Sequence, residues 1–177
     1  YNDKLALLDE YGKSMTYAQL CSEASMLAEK IGHRCLVFSL CRNEIGSVIG
    51  YTSFLNHGIV PVMINSYLEE NLLGCLLKTY LPEYLWLPKE QSEQFPEMAV
   101  EYEAYQYVLL KTQYSHKFPL NEELGLLITT SGSTGSPKLV RQSYTNVLDN
   151  AKSIANYLKL DDSERPITTL PMNYVYG

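Results

Sequence analysis

The residues of this chain that are best suited to chemistry lie in one stretch, residues 126–138, where an apolar run changes abruptly to small hydroxylated residues and glycines. Glycines allow a backbone to approach an anion closely, and consecutive N–H groups and hydroxyls donate hydrogen bonds to its oxygens. Lys138 closes the stretch with a mobile positive charge. This combination predicts a loop that binds the phosphates of a nucleoside triphosphate.

The spacing within this stretch excludes two other known loops. In a Walker A loop, lysine directly follows the second glycine and precedes Ser or Thr, whereas here two residues separate Gly135 from Lys138 and Leu139 follows. A nucleophile elbow has the pattern Gly-x-Ser-x-Gly, whereas serine directly follows Gly132. The order that remains is Thr-Ser-Gly-Ser-Thr-Gly-x-Pro-Lys, over residues 130–138.

This order resembles the phosphate-binding loop of the superfamily that contains AMP-forming acyl-CoA synthetases, nonribosomal-peptide adenylation domains and luciferases. Residues 130–138 match that loop throughout, with only its variable position left free. The alternative is a solvated linker rich in serine and glycine. It would explain neither Pro137 and Lys138 nor the strand-like run before the loop. The resemblance therefore predicts an ATP-binding loop.

The resemblance also implies roles for the residues of the loop. The hydroxylated residues would donate hydrogen bonds to the β- and γ-phosphates, and the two glycines would permit close approach of the backbone. Lys138, the predicted catalytic residue, would either pair with phosphate or anchor the loop, and the sequence leaves both roles open. The residues expected to bind ATP are Thr130, Ser131, Gly132, Ser133, Thr134, Gly135 and Lys138.

A second segment, residues 170–177, is similar to the Leu-Pro-x-Phe-His-x-x-Gly segment of the same superfamily, which borders the nucleotide and acyl pockets in its members. The resemblance makes Tyr174, Tyr176 and Gly177 candidates for the substrate pocket. Tyr174 stands where many acyl-CoA synthetases carry histidine, and Asn173 stands where an aromatic residue is common. The two tyrosines are equally well interpreted as packing aromatics, because tyrosine is abundant throughout the chain.

The resemblance extends over essentially the whole chain, through weaker matches at residues 15–20 and 43–65. The ribose-binding segment of the superfamily, its magnesium-binding glutamate and the small C-terminal domain with the adenylation lysine would all lie beyond Gly177. Residues 1–177 are therefore expected to be the N-terminal part of the large AMP-binding domain, apparently truncated. On its own, this part is expected to be inactive.

The reaction implied by the resemblance is attack of a substrate carboxylate on the α-phosphorus of ATP, which yields an acyl-adenylate and pyrophosphate. The acyl group then passes to a thiol, which belongs either to coenzyme A or to the pantetheine of a carrier protein. ATP and Mg2+ are the implied cofactors, with the magnesium ligands outside this chain. The competing hypothesis is a non-catalytic nucleotide-binding or scaffold module that has lost its second domain.

Composition argues against several other classes of function. A net charge of −6, with no basic stripe, argues against a nucleic-acid-binding surface. No apolar run approaches the about 18 residues that span a bilayer, and no signal peptide opens the chain, so the expected location is cytoplasmic. The four cysteines and three histidines show no metal-ligand spacing, so no metal site is expected.

Predicted strands and helices alternate around these motifs. Apolar spacing predicts an opening hairpin at residues 5–9 and 14–17. Further strands are predicted at residues 35–40, 59–64, 84–87, 105–110, 126–130 and 167–170, with an extended return at 138–142. Helices are predicted between Thr16 and Gly32, between Asn43 and Gly58, and at residues 69–80 and 143–159.

This alternation predicts an α/β fold rich in parallel strands, with right-handed crossovers and with helices packed on the sheet. The polar stretch at residues 89–103 lacks periodicity and predicts a loop with a short helix. The remaining loops lie at strand ends, where an open α/β sheet binds ligands.

Overall fold

A computed structural model of the chain describes residues 2–115, 119–129 and 138–174. Within these ranges a small hairpin precedes a seven-stranded sheet. The strands are β1 (Leu5–Leu8), β2 (Ser14–Thr16), β3 (Leu36–Cys41), β4 (Val60–Asn65), β5 (Tyr84–Pro88), β6 (Ala99–Ala104), β7 (Tyr107–Lys111), β8 (Leu124–Thr129) and β9 (Leu139–Ser143). The helices are α1 (Tyr17–Ile31), α2 (Ile45–Asn56), α3 (Glu70–Tyr80), α4 (Tyr144–Leu158) and a 3-10 helix at Lys89–Gln94.

The large sheet has the strand order β6-β7-β5-β3-β4-β8-β9. Strands β5, β3, β4 and β8 form its parallel centre, in which Val62 lies opposite Leu127 across β4 and β8. The strands at the two flanks, β7 with β6 and β9, pair antiparallel. The predicted α/β fold is confirmed, and the sheet is mixed because each flank turns back on its neighbour instead of crossing over through a helix.

The core lies on both faces of the sheet, because successive residues of a strand point to opposite sides. On one face, Val37 and Trp86 pack in a buried cluster with residues of α1 and α2. On the other, Phe38 and Leu85 pack with Leu73 of α3. Coverage on both sides explains why these strands contain continuous apolar runs.

Helix α1 begins and ends where the sequence predicts. The Thr16 hydroxyl accepts from the backbone N–H of Gln19 at 3.2 Å, and the Gln19 side chain accepts from the Thr16 N–H at 2.8 Å. These reciprocal bonds form a capping box at the helix N-terminus. At the other end, Gly32 adopts the left-handed conformation with φ 71°, which terminates the helix.

Two predictions about strands are wrong. Residues 99–104 form strand β6 rather than loop, and most of its residues are exposed at the edge of the sheet. The strand packs Tyr102 and Ala104 against the core cluster, and its alternation with two glutamates is too short to stand out from the polar stretch before it. Residues 167–170 form no strand, and Ile167 is 86% exposed. No described strand pairs with this segment, so its apolar sequence alone does not make it a strand.

Helix α4 confirms the prediction at residues 143–159. The Ser143 hydroxyl caps it by accepting from the Asn146 N–H at 3.1 Å. The helix contacts β8 and β9, and Val147 packs against a small cluster that contains Leu126. Most of its other apolar residues are exposed among the described residues, including Leu148 and Ile154.

Candidate functional site

The two strands that flank the glycine-rich loop are held side by side. Thr129, the last residue of β8, lies opposite Leu139, the first residue of β9. The Thr129 hydroxyl also donates to the backbone carbonyl of Met63 in β4 at 3.3 Å. The described residues on either side of the loop therefore lie together at the carboxyl ends of the parallel strands.

Of the residues predicted to bind ATP, Lys138 is described, and it is exposed immediately before β9. It is joined directly to Leu139, which lies opposite Thr129. The other predicted ATP-binding residues lie outside the described part of the chain: Thr130, Ser131, Gly132, Ser133, Thr134 and Gly135.

The second predicted segment is attached to the same edge through Asn43, which follows β3. The Asn43 side-chain amide donates to the carbonyl of Leu170 at 2.9 Å, and its oxygen accepts from the N–H of Met172 at 3.1 Å. Met172 packs with Ile128 of β8 against the same small apolar cluster. The structure thus connects the second segment to the strand that leads into the glycine-rich loop.

The substrate-pocket candidates are only partly described. Tyr174 is 47% exposed, and Tyr176 and Gly177 lie outside the described residues. The preceding residue, Asn173, is buried, and its Oδ1 accepts no hydrogen bond from the described residues. The segment therefore buries an amide side chain at a position where an aromatic residue is common in the superfamily that it resembles.

A pocket of about 300 Å³ lies at this edge and is lined by Cys41, Arg42, Asn43 and Pro171, among others. Arg42 provides its cationic side chain, but the guanidinium pairs with Glu90 and lies 3.6 Å from Glu44. These carboxylates neutralise the positive charge of Arg42 that would otherwise attract a phosphate. We therefore assign Arg42 a structural role, in which it joins the end of β3 to the 3-10 helix.

Cys41 offers a thiol at the same edge without being a nucleophile. It is buried, and burial raises the pKa of the thiol to about 12. The thiol therefore stays protonated near neutral pH, and the thiolate is the form that attacks electrophiles. A nucleophilic role for Cys41 at this edge is therefore not expected.

Arg34 positions the strand that carries the loop. Its Nη2 donates to the carbonyls of Asn121 and Leu124 at 2.7 and 2.8 Å, and its Nη1 donates to the carbonyl of Gly58. Nη1 also donates to the hydroxyl of Tyr144 at 3.1 Å. One guanidinium thus links the turn before β4, the start of β8 and the start of α4. Sequence reasoning missed this residue because its partners are far away along the chain.

An open α/β sheet with a glycine- and hydroxyl-rich loop at the carboxyl ends of its parallel strands is the architecture of nucleotide-binding proteins. The chain belongs to the AMP-binding enzyme family, whose model matches residues 1–177. This membership confirms the resemblance predicted from the loop.

Individual relatives include two kinds of ligase. The 2-succinylbenzoate–CoA ligase of Oceanobacillus iheyensis is 28% identical over 189 residues, which cover 99% of this chain and 38% of the ligase. The 3,4-dihydroxybenzoate–[aryl-carrier protein] ligase of Bacillus anthracis is 41% identical over 58 residues, which cover 33% of this chain and 14% of that ligase. The chain therefore spans well under half the length of these relatives.

Solved structures share the fold. O-succinylbenzoate coenzyme A synthetase from Bacillus subtilis, in complex with ATP and a magnesium ion, matches 99% of this chain with a TM-score of 0.74 and 20% identity. The match covers 49% of that chain. Within the described residues, no helix is both long and apolar enough to cross a membrane.

Proposed function

We propose that residues 1–177 are the N-terminal part of the large domain of an AMP-forming ligase. The ligase would join a carboxylic acid to ATP, giving an acyl-adenylate and pyrophosphate, and would then transfer the acyl group to a thiol. The observation that carries the proposal is the β8–β9 hairpin, which holds both ends of the superfamily-like loop at the carboxyl edge of the sheet. Family membership over the whole chain supports it.

The central difficulty of this reaction is electrostatic, because a carboxylate and a triphosphate repel each other. Catalysis must therefore consist largely of positioning the reactants and stabilising the charge of the departing pyrophosphate. In our proposal, the loop hydroxyls and N–H groups between Thr130 and Thr134 bind the β- and γ-phosphates. Lys138 adds a positive charge, either directly on a phosphate or by fixing the loop.

Strand pairing holds the two ends of the loop together, with Thr129 opposite Leu139. Donors that are fixed in place before a phosphate binds need little reorganisation. Mg2+ would neutralise phosphate charge when bound, and we place its protein ligands outside this chain. Residues 1–177 alone are accordingly expected to form no acyl-adenylate.

Coenzyme A is the acceptor that we propose first. It is supported by the relative that aligns with 99% of this chain, a CoA ligase, whereas the carrier-protein ligase aligns with 33%. Carrier-protein pantetheine is the alternative, because both acceptors present the same thiol. As first substrates we propose aromatic carboxylic acids, since the names of both relatives specify a substituted benzoate.

The proposal is tested by acid-dependent exchange of labelled pyrophosphate into ATP, measured with the complete protein and a panel of acids that includes 2-succinylbenzoate and 3,4-dihydroxybenzoate. Exchange that requires one of the acids is the expected result. Addition of coenzyme A or of a phosphopantetheinylated carrier protein then identifies the acceptor by product formation. Tight ATP binding without exchange for any acid would instead support the scaffold hypothesis.

Tyr174 is expected to influence which acid is accepted more than how ATP binds. Replacement of Tyr174 by alanine should change the ratio of kcat/KM values among acids by about 10-fold or more, with the KM for ATP nearly constant, because only differential contacts alter discrimination. The measurement is steady-state kinetics on the acid panel. The matched control is Tyr157→Ala, which removes an exposed tyrosine from α4. Equal losses for every acid would assign Tyr174 a packing role.

A further inference from the structure

Three potential metal ligands meet at the amino-terminal edge of the sheet, opposite the glycine-rich loop. His33 and Cys35 lie in the turn between α1 and β3, and Glu83 directly precedes β5. Because β3 and β5 are parallel neighbours, their first residues are adjacent, and the Glu83 N–H donates to the carbonyl of Leu36 at 2.9 Å. One donor atom from each of the three side chains lies within 4.8 Å of the other two.

The orientation of the His33 ring prepares one nitrogen for a cation. Its Nδ1 lies 2.8 Å from the backbone carbonyl of Ile31, and a carbonyl can only accept, so Nδ1 carries a proton. In the neutral ring, Nε2 is then an acceptor, yet it faces the carboxylate of Glu83 at 3.1 Å. The Nε2 lone pair and the Glu83 oxygen therefore face the same space, where both could bind one metal ion.

This ring arrangement is the one found for histidines that bind metals. Such histidines almost always donate the other ring N–H to a carbonyl, carboxylate or water, which fixes the tautomer and the ring plane. His57 likewise has its Nδ1 hydrogen-bonded to a backbone carbonyl, that of Ser53 at 2.9 Å, but it is not part of the ligand cluster. The His57 side chain therefore provides a comparison within the same chain.

Lys111 and the state of the Cys35 thiol set the charge that an incoming ion would meet. Lys111 Nζ lies 3.3 Å from the same Glu83 oxygen and 3.9 Å from the centre of the Tyr84 ring. Burial, with a smaller effect from Glu83, raises the pKa of the Cys35 thiol to about 12. Without a metal, the cluster is therefore a protonated thiol beside a carboxylate that is paired with lysine.

We propose that His33, Cys35 and Glu83 bind one divalent transition-metal ion of the zinc class, with water or an external ligand in the fourth position. Nitrogen, sulfur and one carboxylate oxygen form a donor set that suits zinc and not the oxygen-seeking Mg2+ or Ca2+. Half of the His33 side chain is exposed, which opens the cluster to solvent. The Cys35 S–H bond breaks as the sulfur–metal bond forms, and one proton passes to solvent.

The geometry requires a small contraction. Ligand atoms of a tetrahedral zinc ion lie about 3.5 Å apart, from bond lengths of about 2.0 to 2.3 Å. The nitrogen and oxygen at 3.1 Å are already that close, and the cluster as a whole spans up to 4.8 Å. Movement of the half-exposed imidazole and of the glutamate side chain by about 1 Å would complete the site. The bound ion would join the turn before β3 to the start of β5.

The experiment is titration of the purified, metal-free protein with Zn2+ in competition with a chromogenic chelator, together with Co2+ absorption spectra. One equivalent of Zn2+ should bind, and the Co2+ complex should show thiolate-to-metal charge-transfer absorption. Because loss of an outer partner alone costs about 10- to 100-fold in affinity, Cys35→Ser and His33→Ala should each weaken binding at least about 100-fold. Cys35→Ser should also abolish the charge-transfer absorption.

Matched controls separate this site from other metal binding. Cys41→Ser replaces another buried cysteine, and His57→Ala replaces a histidine with the same backbone hydrogen bond, so both should bind Zn2+ like the wild type. If Cys35→Ser does not fold by circular dichroism, His33→Ala decides, because its side chain is 48% exposed. Absence of stoichiometric binding, or equal affinity in the His33 and His57 variants, would overturn the proposal. The cluster would then be a polar contact group in which His33 and Lys111 both lie beside the Glu83 carboxylate.

Discussion

Replacement of Gly46 by alanine is expected to lower the free energy of unfolding by about 3 kcal/mol, the upper end of the usual cost of overpacking a core. A Cβ at Gly46 would lie 2.2 Å from Cδ2 of Tyr107 and 2.9 Å from the backbone oxygen of Tyr105. The Tyr107 ring is fully buried, and its hydroxyl lies 2.7 Å from that of Ser47, so the ring has no open space to enter. Urea-induced unfolding followed by circular dichroism measures the loss.

The matched control is Gly74→Ala in α3, where a Cβ would meet no atom within 4 Å. This substitution should stabilise the protein by about 0.5–1 kcal/mol, because alanine loses less conformational entropy than glycine in a helix. The same chemical change should thus have opposite signs in two helices. Equal unfolding midpoints for the two variants would show that α2 can move away from β7 at little cost.

The reason for this sensitivity is the close approach of α2 to the sheet. At Gly50, one turn further along, a Cβ would lie 2.4 Å from Cδ1 of Trp86, and the Trp86 indole N–H donates to the Gly46 carbonyl at 2.9 Å. The spacing of four residues between the two glycines places them on one helix face. The sequence contains this Gly-x-x-x-Gly pattern, whereas the helix itself is predicted from its apolar residues alone.

Most of the fold could be predicted because its signals are local. The start and the end of α1 follow from Thr16 and Gly32. The buried strands follow from short apolar runs such as the one at β3. These features depend on backbone capping and on burial of a few consecutive residues. By contrast, β6 gains its strand conformation from pairing with β7, although its own residues are mostly exposed. Its local pattern is limited to three alternating apolar residues, Val100, Tyr102 and Ala104, directly after a polar stretch.

The candidate site divides in the same way. The loop at residues 130–138 could be matched to the superfamily from its sequence, because close approach to a phosphate would restrict each position to a few residue types. The residues that hold its surroundings could not be recognised, since Arg34 bonds to Leu124 and Asn43 bonds to Leu170 across long stretches of chain. The cluster of His33, Cys35 and Glu83 was missed for the same reason, because Glu83 lies 50 residues after His33 and spacing rules do not join such distant residues.

Lys138→Ala is expected to slow formation of the acyl-adenylate by ~10^2 to 10^3-fold in the complete enzyme. Removal of one preorganised charge-stabilising donor typically costs about 3 kcal/mol of transition-state stabilisation. Lys138 is the last residue of the loop and directly precedes Leu139, which pairs with Thr129. The measurement is single-turnover formation of acyl-adenylate at saturating ATP and acid, which separates chemistry from product release.

The control for this prediction is Lys152→Ala, which removes an exposed lysine from α4 and leaves the net charge equal to that of the Lys138 variant. It should react like the wild type, and both variants should unfold at the same urea concentration.

The two roles of Lys138 then differ in the ATP dependence of the reaction. If the charge acts mainly on the departing pyrophosphate, the single-turnover rate falls while the affinity for ATP stays nearly constant. If the lysine anchors the loop, the affinity for ATP falls as well, because an unanchored loop must be ordered by the nucleotide. Wild-type rates in the Lys138 variant, with stability unchanged, would remove the lysine from the proposed phosphate site.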